Sequence, residues 1–133
     1  MDLVKDLMTP NPFTVLPTAN VGEAARLMDR RRVRHVPIAD PDGRLVGLVS
    51  QRDLLRTAWQ NSTGGDDESW RATPISNVMR TEIDTAQVHD TGAEAARLIL
   101  SSRRSCLPVV DADGKLVGIL TEADYVRRIL RQN

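Results

Sequence analysis

The chain is an internal duplication, and nothing else in it limits the possible folds as strongly. At an offset of 71 residues, Val4–Arg56 matches Ile75–Arg127 without a gap. Glu23-Ala24-Ala25-Arg26-Leu27 recurs as Glu94-Ala95-Ala96-Arg97-Leu98, and Val36-Pro37-Ile38 recurs as Leu107-Pro108-Val109. The run Asp42-Gly43-Arg44-Leu45-Val46-Gly47-Leu48-Val49-Ser50 returns as Asp113-Gly114-Lys115-Leu116-Val117-Gly118-Ile119-Leu120-Thr121, and Asp53 falls on Asp124. An ungapped repeat of this kind is one supersecondary unit used twice. A copy of ~50 residues is marginal as an isolated core, so two copies are expected to bury one sheet face against the other about a pseudo-twofold axis.

Each copy reads the same way. Val21, Ala24, Ala25, Leu27 and Met28 follow helical spacing and predict an amphipathic helix ending in Arg30-Arg31-Arg32, with Ala95, Ala96, Leu98 and Ile99 in the equivalent helix. His35–Ala39 predicts a strand, Asp40-Pro41-Asp42-Gly43 a hairpin turn, and Arg44–Val49 a return strand buried on both faces. Ser50 opens a second helix with Leu54, Leu55, Ala58 and Trp59 on one side, and Phe13-Thr14-Val15 predicts a short strand before the first helix. The order per copy is strand, helix, strand, strand, helix, an α/β (α+β) fold. The expected organisation is a first repeat over 1–60, a linker over 61–74 and a second repeat over 75–133. Asn61-Ser62-Thr63-Gly64-Gly65-Asp66-Asp67-Glu68 has the composition of a loop, and Trp70 is placed to pin it down.

Composition closes off several function classes. The 133 residues carry 18 basic and 18 acidic side chains, so net charge is zero. No apolar run approaches the ~20 residues that span a bilayer, and no charged-then-apolar leader opens the chain, so neither a membrane span nor a secretory signal is expected. The single cysteine, Cys106, fits a reducing compartment, and the expectation is a cytoplasmic protein. There is no Gly-x-x-x-x-Gly-Lys loop, no His-Glu-x-x-His and no serine elbow, so the chain does not read as an enzyme. Two histidines and one cysteine, far apart, make no metal site, and His89 reads as a surface residue.

The chemistry concentrates in Ser50-Gln51-Arg52-Asp53 and Thr121-Glu122-Ala123-Asp124. A hydroxyl at a helix start can donate to a phosphate or ribose oxygen, and the first helical N–H groups favour an anion. An ionised carboxylate three residues on can accept from both hydroxyls of a ribose. Gly47 and Gly118, inside strands, allow close approach of a ligand or another backbone. The same pattern is also a helix-capping arrangement that needs no ligand. The copies differ in charge: Val4–Arg56 holds nine basic and six acidic side chains, a net of +3, whereas Ile75–Arg127 holds six and eight, a net of −2. Gln51 and Arg52 face Glu122 and Ala123, and Arg34 faces Ser105, so the first copy is expected to accept more negative charge. Arg52→Ala is accordingly expected to weaken a phosphorylated ligand more than its unphosphorylated counterpart.

Taken together, the paired Met-centred openings (Asp6-Leu7-Met8-Thr9 and Asn77-Val78-Met79-Arg80), the Glu-Ala-Ala helix, the hydrophobic-Pro-hydrophobic strand, the Asp-x-x-Gly turn and Gly-h-h-[Ser/Thr]-x-x-Asp resemble a tandem pair of cystathionine β-synthase (CBS) domains. The resemblance covers Val4 to about Arg128. It implies a regulatory module that binds adenosine-containing ligands (AMP, ADP, ATP, S-adenosylmethionine, sometimes NAD) in clefts between repeats, forms a homodimer through its helices, and signals to a partner in trans. On this resemblance Asp53 and Asp124 hold ribose hydroxyls, and Ser50 and Thr121 hold phosphate or ribose oxygens. The strand beginning at His35-Val36-Pro37, or Cys106-Leu107-Pro108, helps wall the base pocket together with Thr14 and Thr85. His35 also reads as an ordinary partly buried histidine and Cys106 as a small buried cysteine. Two rival readings remain. A scaffold would use Ala24, Met28, Leu54, Leu55, Ala95, Ile99, Tyr125 and Ile129 only to dimerise, though those positions suit a core equally. Nucleic-acid binding through Arg30, Arg31, Arg32 and Arg34, or Arg127, Arg128 and Arg131, is opposed by zero net charge and only four aromatic residues. Arginines late in a helix also complement its dipole.

Overall fold

The computed structural model describes residues 2–60, 68–101 and 105–131. The loop expected at Asn61–Glu68 lies, but for Glu68, outside the described residues. The chain forms α1 (Val4–Leu7), β1 (Thr9–Pro10), α2 (Val21–Arg31), β2 (His35–Ala39), β3 (Leu45–Ser50), α3 (Gln51–Gln60), β4 (Ala86–Gln87), α4 (Gly92–Ser101), β5 (Cys106–Val110), β6 (Leu116–Thr121) and α5 (Glu122–Arg131), with 3₁₀ turns at Ser69–Ala72 and Ile75–Asn77. No helix among the described residues is long and apolar enough to cross a membrane.

The compact units cut across the sequence repeats. One comprises Met1–Pro12 with Asp84–Asn133, the other Phe13–Ile83. In each, the opening segment of one repeat completes the core of the other. Val4, from the first repeat, is fully buried with Ala95, Ile99, Leu107, Val109 and Leu120 of the second. Ile75, its equivalent, is fully buried with Val21, Ala24, Met28, Val36 and Val49 of the first. This exchange supplies the apolar area that a single repeat lacks. The segment after Glu68 is therefore structured: Val21 N–H donates to Thr73 O at 2.8 Å, Ile75 N–H donates to Ala19 O at 2.8 Å, and Trp70 packs against the core of its unit.

Local chemistry sets the shared elements. Asn20 Oδ1 caps α2 by accepting from Glu23 N–H at 2.9 Å, and Thr91 Oγ1 caps α4 by accepting from Glu94 N–H at 3.1 Å. In the hairpins, Asp40 Oδ1 accepts from the Asp42 and Arg44 N–H groups, and Asp111 Oδ1 accepts from those of Asp113 and Lys115. Gly43 and Gly114 turn the chain at φ +87° and +79°, where a side chain would be strained.

The unit holding the second repeat has a four-stranded sheet in the order β1-β6-β5-β4. The other unit repeats this arrangement around β2-β3, but its outer members are single bridges, Leu48 with Arg80 and Val15 with Ile38. The expected strand at Phe13–Val15 thus shrinks to one bridge at Val15. Phe13 instead lies under the Arg31 guanidinium, 4.5 Å from the ring centroid, which takes it off the sheet edge. Two further expectations change. In β3 only Gly47, Leu48 and Val49 are buried, while Leu45 and Val46 are half-buried. On α3, Leu54 enters the core, but Leu55 and Trp59, one helical position round, are 66% and 80% exposed.

Candidate functional site

Each unit gathers one set of the residues singled out by sequence. Where β3 runs into α3, Ser50 and Asp53 cap the helix reciprocally. Ser50 N–H donates to Asp53 Oδ2 at 2.9 Å, and Asp53 N–H donates to Ser50 Oγ at 3.1 Å. The Asp53 side chain is buried, and its second oxygen, Oδ1, accepts from Arg80 Nη2 at 3.2 Å, with Arg56 Nη1 at 3.8 Å. Burial opposes ionisation of Asp53, but the Ser50 backbone N–H, the Arg80 guanidinium and the Ser50 hydroxyl outweigh it and hold the carboxyl below its usual range.

The other unit repeats the design with two changes, in the role of the cap hydroxyl and in the residue brought from the opening segment. Thr121 N–H donates to Asp124 Oδ2 at 2.8 Å, and Thr121 Oγ1 donates to the same oxygen at 3.3 Å. Asp124 Oδ1 accepts from Thr9 Oγ1 at 3.1 Å and from Arg127 Nη2. Thr9 and Arg80 are equivalent by the 71-residue offset, as are Arg127 and Arg56. One carboxylate therefore faces two guanidinium groups and the other faces one guanidinium and a neutral hydroxyl.

Arg80 and Thr9 are brought to the carboxylates by the exchanged opening segments. Arg80 forms both backbone hydrogen bonds of its bridge to Leu48, at 3.0 and 2.9 Å, and Thr9 pairs with Ile119. The preceding methionines lie on strand glycines: a Cβ built on Gly47 would sit 2.9 Å from Met79 Cγ, and one on Gly118 would sit 3.1 Å from Met8 Cγ. The glycines thus admit a neighbouring segment of the chain rather than the hairpin partner. Both Met-centred openings stand out in the sequence, but nothing local to them gives Thr9 or Arg80 a role. Their signal was the duplicated position itself, one residue after each methionine.

The remaining candidates divide by exposure. His35 pairs with Ser50 across β2-β3, and Cys106 pairs with Thr121 across β5-β6, so each stands beside its helix cap. Burial lowers the His35 pKa, opposed by the Asp53 charge and reinforced by Arg34. Burial, helped by the Asp124 charge, pushes the Cys106 thiol up to about 12, so it is no thiolate nucleophile near neutral pH. Val36, Pro37, Leu107 and Pro108 are fully buried. Thr14 and Thr85 are exposed, each one residue before the backbone that pairs alongside the hydrophobic-Pro strand. Arg34 and Arg52 line an open groove of about 840 Å³ between α2 and α3 and are not the cations at Asp53. Chemically, Oδ2 of each aspartate is committed to a backbone N–H, whereas Oδ1 holds side-chain donors that a ligand hydroxyl can replace. Among the described residues, Asp53 is such a carboxylate in one unit and Asp124 in the other.

A family model for the CBS domain matches residues 4–59 and 75–131. The chloroplastic CBS domain-containing protein CBSX2 of Arabidopsis thaliana is 35% identical over 96% of this chain. Its crystal structure in complex with AMP superposes with a TM-score of 0.85 at 34% identity, covering 98% of both chains. The CBS domain pair of protein MJ0100, in complex with 5′-methylthioadenosine and S-adenosyl-L-methionine, superposes with a TM-score of 0.84 at 26% identity, covering 100% of this chain and 99% of that one. The chain spans less than two thirds of several curated relatives: 63% of CBSX2 and 22% of a homoserine O-acetyltransferase of Methanocorpusculum labreanum, to which it is 33% identical over 89% of its length.

Proposed function

Because this chain belongs to the CBS domain family, as a tandem pair, we propose that it is a regulatory, non-enzymatic module that senses an adenosine-containing ligand and signals to a partner in trans. The observation that carries the reading is the duplicated carboxylate whose Oδ1 oxygen is held only by side-chain donors. A ribose diol can displace those donors without breaking the helix cap on Oδ2. AMP in CBSX2, and S-adenosyl-L-methionine and 5′-methylthioadenosine in the MJ0100 pair, supply the ligand class. In this reading Ser50 and Thr121 stand by a phosphate or ribose oxygen, with Thr14, His35, Thr85 and Cys106 flanking. Arg80 gives the Asp53 set a preference for phosphorylated ligands, and Thr9 gives the Asp124 set a preference for less charged ones. A homodimer is part of the proposal.

A thermal-shift panel of AMP, ADP, ATP, S-adenosylmethionine, NAD and GMP tests it. A ligand at a hundredfold over its Kd adds about 2.7 kcal/mol, a rise on the order of 10 °C. Adenosine ligands should shift the midpoint and GMP should not. One observation favours a second reading: Ser50 and Asp53 already cap α3 reciprocally, and Asp124 already accepts from Thr121 N–H. A flat panel with folded protein would leave them as caps only, and a dimerising scaffold would be the better description.

A further inference from the structure

Two methionines seat the residues that the opening segments bring to the carboxylates. Met79 lies against Gly47 and Met8 against Gly118, each so closely that a methyl group on the glycine would meet its sulfur. The residue directly after each methionine, Arg80 or Thr9, donates to the Oδ1 oxygen of Asp53 or Asp124. The backbone pairing that holds these two residues is short: Arg80 joins its unit's strands by a single bridge to Leu48, and Thr9 lies in a strand of two residues. Arg80 and Thr9 are exposed and both methionines are half-buried, whereas Met28 of α2 is 7% exposed inside a core. Segments held by so few backbone bonds open locally at far less cost than the whole fold. Such an opening brings the Met8 or Met79 sulfur to solvent, whereas exposing Met28 requires the core itself to open.

We propose that Met8 and Met79 are sites of reversible oxidation, which releases the opening segments from the strand glycines and withdraws Thr9 and Arg80 from the two carboxylates. The oxidant is a hydroperoxide. A lone pair on the thioether sulfur attacks the outer peroxide oxygen, and the O–O bond breaks as the S–O bond forms. The proton of the transferred oxygen leaves with the other oxygen as an alcohol or water. Sulfur loses two electrons and the peroxide gains them. The sulfoxide is polar and bulkier, and it forms where the thioether packs on the glycine and on the core of its unit. Because the duplication places the same seat in both units, one oxidant acts on the Asp53 and Asp124 sets together. The inference goes beyond nucleotide sensing and rests on that reading only for its consequence, the loss of the ligand preferences that Arg80 and Thr9 confer.

The test treats the full chain with hydrogen peroxide and follows the gain of one oxygen at each methionine by peptide mass mapping. Met8 and Met79 should be oxidised about tenfold or more faster than Met28. Amide hydrogen exchange by NMR then reads the release. The Leu48 and Arg80 N–H groups donate to each other's carbonyls at 3.0 and 2.9 Å, and in the oxidised chain the Arg80 N–H should exchange about tenfold or more faster. Amides of the β2-β3 pairing should keep their protection. Met79→Leu preserves the apolar volume and cannot form a sulfoxide, so peroxide should leave its Arg80 exchange unchanged. Methionine sulfoxide reductases should restore slow exchange to the oxidised wild type. Three results would overturn the proposal. Met8 and Met79 could be oxidised no faster than Met28. They could be oxidised while Arg80 N–H exchanges as slowly as before, which would make the sulfoxides surface damage. All amides could lose protection together, which would make the effect global unfolding. The mass map needs only the wild type, so the test stands even if Met79→Leu does not fold. Neither readout uses a ligand, so sensing can fail while this inference holds, and the reverse.

Discussion

The contact between Gly47 and Met79 links packing to the site, and Gly47→Ala tests it. An added Cβ would lie 2.9 Å from Met79 Cγ and 3.2 Å from its Cβ, and nearer still to the sulfur. Met79 is half-buried and cannot simply swing away, because Arg80 beside it is tied to Leu48 by two backbone hydrogen bonds. Overpacking of this kind costs about 1–3 kcal/mol, offset by roughly 0.5–1 kcal/mol because alanine in a strand loses less backbone freedom than glycine. A net loss of about 1.5 kcal/mol lowers Tm by roughly 6 °C in a domain of this size. The decisive comparison is a double-mutant cycle followed by urea unfolding. In a Met79→Ala background the clash is gone, and Gly47→Ala should be neutral or stabilising by about 0.5 kcal/mol. If Gly47→Ala costs the same in both backgrounds, Met79 is not what the glycine accommodates, and the account of how Arg80 reaches Asp53 is wrong.

Three further outcomes follow from the structure. Arg32 ends α2 in the left-handed region, φ 57° and ψ 42°, so Arg32→Gly should stabilise by about 0.5–1 kcal/mol, read as a Tm rise; no rise would mean the strain is absent. Burial lowers the His35 pKa from 6.5, so the unfolded chain takes up its proton first, and the stability this contributes is lost as pH falls through about 6.5 toward the folded value. His35→Gln should flatten that part of the stability–pH curve measured by denaturant unfolding; an unchanged slope would contradict it. Arg80→Ala should raise the Asp53 pKa, since burial then meets less opposition, and carboxyl ¹³C titration by NMR should show it, whereas an unmoved titration would remove Arg80 from the site.

What sequence could reveal was local. The hydrophobic spacing of α2, the hairpin at His35–Ser50 and its copy at Cys106–Thr121, and both Ser/Thr-x-x-Asp caps were legible because each is determined within a few residues. The exchange of opening segments was not. Val4 and Ile75 carry no period that says which repeat they join, and α1, with four residues, is too short to register as a helix. Arg80 and Thr9 were missed for the same reason, since their contacts to Asp53 and Asp124 span 27 and 115 residues. Arg34, in the bend before β2, and Arg52, on α3, line the α2/α3 groove, while Asp53 faces Arg80 because a helix turns neighbouring side chains by about 100°.

The central claim is that the Oδ1 oxygens of Asp53 and Asp124 receive an adenosine ligand's ribose. Isothermal titration of AMP and S-adenosylmethionine into the wild type, Asp53→Asn and Asp124→Asn measures this directly. Asparagine can keep the acceptor that caps Ser50 or Thr121 N–H but loses the charged acceptor for a diol, a difference of about 1.5–3 kcal/mol. The account predicts binding by the wild type, loss of about tenfold or more in at least one variant, and a stronger effect of Asp53→Asn on the phosphorylated ligand. Titrations without heat from the folded wild type, or affinities unchanged in both variants, would contradict it.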